Sequence, residues 1–86
     1  MNQIIAYRDV LPEASAKMLT ASTAEFSGMD ETRFPTALEA FAAAIDAEAS
    51  GKHYVVRVWV EDCGHVDFPQ IKEIYEAWQN EGIAPR

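Results

Sequence analysis

Hydrophobic and polar positions alternate most regularly in KHYVVRVWVE, residues 52–61. Tyr54, Val56, Val58 and Val60 fall on one face, and His53, Val55, Arg57, Trp59 and Glu61 on the other. A period of two predicts a strand, and its first face belongs in a core. The second face mixes charge with a tryptophan, so it is either half covered or a recognition surface. EDCGHVD, which follows, reads as a polar turn in which Gly64 can take a left-handed backbone.

Two stretches switch to helical spacing. In FPTALEAFAAAIDAEASG, residues 34–51, the apolar stripe is Phe34, Leu38, Phe41, Ala42 and Ile45, while Glu39, Asp46 and Glu48 face water. Pro35 suits the first turn, Thr36 and Glu39 have capping-box spacing, and Gly51 ends the helix. Ala40, Ala43 and Ala44 widen the apolar face and admit a neighbouring backbone closely. The second helix is expected from about Phe68 to Glu81, with Ile71, Ile74, Tyr75 and Trp78 as its stripe. Asp67 can cap it, Pro69 fits its first turn, and Gly82 closes it. Residues 83–86 form a flexible tail unless they dock.

The first third is less regular. QIIAYR, residues 3–8, reads as a strand with apolar character on both faces. Between Pro12 and Gly28 two patterns compete: Ala14, Met18, Ser22 and Phe26 at helical spacing, or Met18, Thr20, Ser22, Ala24 and Phe26 in alternation. A short helix near 12–20, followed by irregular or extended chain, reconciles them. GMDETR, residues 28–33, reads as a polar connection. RFPTALEAF and DFPQIKEIY echo each other 34 residues apart, matching Phe34-Pro35 with Phe68-Pro69 and Phe41 with Tyr75. A duplication would make KMLTASTAEF the counterpart of the 52–61 strand and add a third strand to the sheet. Two independent Phe-Pro helix starts explain the echo equally well. The expected fold is one α+β domain over residues 1–86, a two- or three-stranded sheet packed against two or three helices.

At 86 residues the chain is of single-domain size. Much of its 49% hydrophobic content is alanine, so large core formers are few. A homodimer or a partner surface is a natural supplement to such a core. Fourteen acidic against seven basic residues give a net charge of −7. That balance disfavours direct binding to nucleic acid or to an anionic membrane, and favours basic protein surfaces. Solubility alone also explains it. One cysteine excludes an internal disulfide. No leader pattern opens the sequence and no apolar run reaches the roughly 18–20 residues of a membrane span, so a cytoplasmic location is expected.

Glu61-Asp62-Cys63-Gly64-His65, with Asp67, is the densest polar cluster. A cysteine and a histidine two apart on a turn rarely face each other, and His53 lies about 20 Å away along the strand. No glycine-rich phosphate loop is present, and Glu73 with Glu76 reads as an exposed helix edge. No catalytic residue, metal ligand or cofactor is therefore expected, and the chain is not expected to be an enzyme. Tyr75 and Trp78 read as core. The expected partner-binding residues are Arg57, Trp59, Glu61 and Asp62, with the acids Asp30, Glu31, Asp46 and Glu48, and Glu25 beside them. By class analogy, a small acidic chain of this kind fits a stoichiometric inhibitor that occupies the basic surface of a nucleic-acid-handling complex, of anti-CRISPR or antirestriction type from a phage or mobile element. An antitoxin or accessory subunit using the Arg57–Trp59 face is the alternative, and a small Cys63/His65 enzyme or metal protein the third reading.

Overall fold

The computed structural model describes residues 9–21, 30–52 and 55–85. Six elements run in the order β1 (Ala16–Ala21), β2 (Asp30–Phe34), α1 (Ala37–Ser50), β3 (Val55–Val60), β4 (Gly64–Asp67) and α2 (Gln70–Asn80). The strands form one antiparallel sheet in the order β2-β1-β3-β4. Both helices pack on one face of it, forming the small α+β architecture expected, with four strands among the described residues where two or three were expected.

Four local readings are corrected, the first being EDCGHVD, whose Gly64–Asp67 is not part of a polar turn but strand β4, paired with β3. Residues 16–21 are a strand and not the second half of a short helix. Flanked by β2 and β3, this segment has its backbone groups taken up by two ladders, and that pairing overrides the helical spacing of Ala14 and Met18. GMDETR is not simply a connection, because Asp30–Phe34 pairs with β1 as an edge strand whose residues are exposed up to a half-buried Phe34. Asp67 does not cap α2: it closes β4, its carboxylate lies 2.5 Å from the Arg57 Nε, and Pro69 takes the cap position without a side-chain bond. The expected strand at residues 3–8 lies outside the described residues.

Other local signals act as read. The Thr36 hydroxyl accepts the Glu39 N–H at 3.2 Å and lies 3.3 Å from its carboxylate, which satisfies an otherwise orphaned donor of the first turn. Gly51 ends α1 at φ +68, a left-handed backbone for which glycine is the natural residue. The segment after α2, expected as a flexible tail, is instead docked: Ala84 is buried, the Ile83 and Ala84 N–H groups both bond to the Trp78 carbonyl, and the Gln79 amide bonds to the Pro85 carbonyl.

The chain folds as two ββα units in tandem, and their registers correspond. Lys17↔Arg33, Met18↔Thr32 and Leu19↔Glu31 in the first hairpin match Arg57↔Asp67, Val58↔Val66 and Trp59↔His65 in the second. The central β1–β3 ladder, with Ala16↔Val60 and Thr20↔Val56, keeps the same internal two-fold. The helices obey it too. Ala37, Ala40, Phe41 and Ala44 are the buried positions of α1, and Ile71, Ile74, Tyr75 and Trp78 occupy the equivalent places in α2. Small residues on one helix meet large ones on the other, so Phe41 and Trp78 stack at 5.0 Å over Val56, Val58, Val60 and Val66.

Candidate functional site

The pleat sorts the sheet residues. Ala16, Met18, Thr20, Val56, Val58 and Val60 point to the helices, so their neighbours point away from them. The outer face carries Lys17, Leu19 and Ala21 from β1, Glu31 and Arg33 from β2, Val55, Arg57 and Trp59 from β3, and His65 and Asp67 from β4. Trp59 sits on a central strand, opposite Lys17 on one side and His65 on the other. The Lys17 ammonium lies 5.1 Å from the centre of its ring, within cation–π range. Ser15, Lys17, Arg33 and Trp59 line a shallow depression of about 410 Å³ at this end of the face.

Charge on the outer face is paired. The Glu31 carboxylate receives Lys17 at 3.2 Å and Arg33 at 3.4 Å, and Arg57 is joined to Asp67. The Lys17 contact first, then that of Arg33, holds Glu31 below its ordinary value of 4.5. A carboxylate lowered in this way adds stability above its unfolded value and loses it as pH falls through the folded one. Wild type should therefore lose more stability than Glu31→Gln on acidification below pH 4.5, measured by denaturant unfolding at stepped pH. Equal losses would mean that the contacts do not persist in solution.

The expected partner-binding residues fall into separate groups. Arg57, Trp59 and Glu31 share the outer face, with Asp30 exposed at the start of the edge strand. Glu61 and Asp62 are exposed in the β3–β4 turn, where Asp62 adopts a positive φ of 65 that an aspartate tolerates. Asp46 and Glu48 are exposed on α1, in the opposite layer of the molecule. Glu25 lies outside the described residues. Lys17 and Arg33 on the outer face were not foreseen, although the alternation of Glu31 and Arg33 in DETRF carries the signal.

That separation exposes an asymmetry of charge. α1 and α2 together carry Glu39, Asp46, Glu48, Glu73 and Glu76, all exposed, against Lys72 as their one basic residue. The outer sheet face holds Lys17, Arg33 and Arg57 against Glu31 and Asp67. The helices thus carry four more acids than bases and the outer sheet face one more base than acids, while Asp9, Glu13, Asp30, Glu61, Asp62 and Glu81 lie in the connections and at the sheet edge.

Chemistry finds little support in the cluster around Cys63. Burial, then the Asp9 carboxylate, push its thiol above the ordinary 9.0, so it is protonated at neutral pH. Among the described residues no three His, Cys, Asp or Glu side chains are grouped to hold a metal ion. Also among them, no helix is long and apolar enough to cross a membrane. No family model, curated protein or solved structure matches the chain.

Proposed function

We propose that this chain is a protein-binding module without chemistry of its own, which sets the acidic layer of its two helices against a basic protein surface. The segregation of charge carries this reading: five exposed carboxylates on α1 and α2 against Lys72 alone. Charge that served only solubility has no need to favour one layer. Basic surfaces line the phosphate-binding grooves of nucleic-acid-handling complexes, where an acidic helical layer would compete with the phosphates themselves. In that role the protein is a stoichiometric inhibitor of anti-CRISPR or antirestriction type, acting in the cytoplasm by occupation. The test is the affinity for the purified partner as salt is raised from about 0.05 M to about 0.3 M. Rim electrostatics of this kind predict a loss of tenfold or more, chiefly through slower association. Affinity unchanged across that range would remove the proposal.

The outer sheet face supports a second reading. Trp59 and Arg57 are of the types that anchor interfaces, and the depression beside Trp59 gives a partner side chain a place to enter. An antitoxin or accessory subunit using this face would lose assembly on Trp59→Ala and tolerate charge reversal on the helices.

A further inference from the structure

Among the described residues β2 is an edge of the sheet, and its sequence Asp30-Glu31-Thr32-Arg33-Phe34 is exposed until the half-buried last residue. An exposed edge presents unpaired backbone groups to any strand that approaches. Charged side chains usually guard such an edge, because a second copy brings like charges opposite each other. On β2 one pairing does the reverse. If two copies of the strand run antiparallel with the two-fold axis at Thr32, Glu31 of each stands opposite Arg33 of the other, and Asp30 opposite Phe34. Both unlike pairs fall on the outer face, where Glu31 and Arg33 already lie 3.4 Å apart and the Arg33 side chain is 84% exposed. Residues directly opposite in an antiparallel pair have Cβ atoms about 5 Å apart, within reach of both side chains.

We propose that β2 is a self-pairing edge: a second copy of this chain joins it antiparallel about Thr32, extending the four-stranded sheet to eight strands with all four helices on one side. The opposite edge is less suited. β4 has only four residues, its Asp67 is engaged by Arg57, and it carries His65 where β2 carries Glu31. Pairing β2 of one copy with β4 of the next, Thr32 opposite Val66, sets Glu31 against Asp67. That repulsion acts against an open chain of copies and leaves the closed two-fold pair. The net charge of −7 on each copy opposes association, and salt screens it over about 8 Å at physiological ionic strength. The dimer is accordingly weak, and it stands independently of what the helical layer binds.

The test is sedimentation equilibrium of the full chain at about 0.15 M salt, from about 20 µM to about 1 mM. Wild type should move from monomer toward dimer across that range. Arg33→Glu places glutamate opposite glutamate, and Glu31→Arg places arginine opposite arginine, so each variant alone should dimerise at least tenfold more weakly. Mixed in equal amounts they restore both unlike pairs, and a heterodimer should appear at wild-type strength in native mass spectrometry. Circular dichroism of each variant establishes that it is folded. A wild type that stays monomeric throughout overturns the proposal, as does a pair of folded variants that dimerise like wild type or fail to complement each other.

Discussion

Trp78→Ala is expected to remove about 3–5 kcal/mol of stability, the range for emptying a buried tryptophan site. A domain of this size has only about 4–13 kcal/mol in total, so the variant should be largely melted well below the wild-type midpoint. The reason is position as much as volume. Trp78 is 1% exposed, stacks on Phe41 at 5.0 Å, meets Tyr75 edge-on at 6.4 Å, and lends its carbonyl to the docked Ile83 and Ala84. The other buried residues of α1, Ala37, Ala40 and Ala44, are too small to fill the space, which leaves Phe41 as the one large buried side chain of that helix beside it. Trp59→Ala is the control. Trp59 lies on the outer face and outside the core cluster, and its loss should lower stability by no more than about 1 kcal/mol. Urea unfolding followed by circular dichroism measures both, and a loss below about 1 kcal/mol for Trp78→Ala would mean that the helices do not pack as described.

The combined substitution Glu73→Lys and Glu76→Lys is expected to weaken partner binding by about 2 kcal/mol, roughly thirtyfold. Both side chains are exposed on the outward side of α2, between the buried Ile71, Ile74 and Trp78. Each reversal exchanges an attraction for a repulsion, and each exposed pair contributes about 0.5 kcal/mol in either sense. Neutral glutamines at the same two positions should show about half the effect. Unfolding midpoints close to wild type establish that the loss is one of recognition. Binding that survives the reversal but fails in Trp59→Ala moves the interface to the sheet and favours the accessory-subunit reading.

The parts of the fold legible from sequence are those whose signals are local. Thr36 with Glu39, and Gly51 with its positive φ, bound α1 because capping is decided within a turn of chain. The alternation of Val56, Val58 and Val60 marks β3 because one whole face of it is buried. β2 and β4 escaped because edge strands of four or five residues have little apolar periodicity of their own, and their partners make them strands. β1 was ambiguous for a related reason: Ala16, Met18 and Thr20 pack inward, but the outward Lys17 and Leu19 give no clean contrast. The Phe-Pro echo was the most useful long-range signal, since Phe34 at the end of β2 and Phe68 just after β4 stand ahead of equivalent helices.

Only part of the candidate surfaces was legible: Arg57, Trp59, Glu31, Asp46 and Glu48 were singled out as partner-binding in the sequence, whereas Lys17, Arg33, Glu39, Glu73 and Glu76 were not. Arg57 and Trp59 share a face because they are two apart on a strand, which sequence reveals directly. That Lys17 lies over Trp59, and that Asp46 and Glu48 stand in the other layer, depends on which elements pair and which face the helices cover. Net charge gave the sign of the surface but not its division between layers.

The claim that recognition runs through the acidic helical layer is tested most directly by nuclear magnetic resonance of the isotope-labelled chain, titrated with its partner. Resonance shifts are predicted to gather at Glu39, Asp46, Glu48, Glu73 and Glu76, with Lys17, Leu19, Arg57 and Trp59 little changed. Shifts that gather instead around Trp59 and Lys17, with the helical carboxylates unmoved, would contradict it.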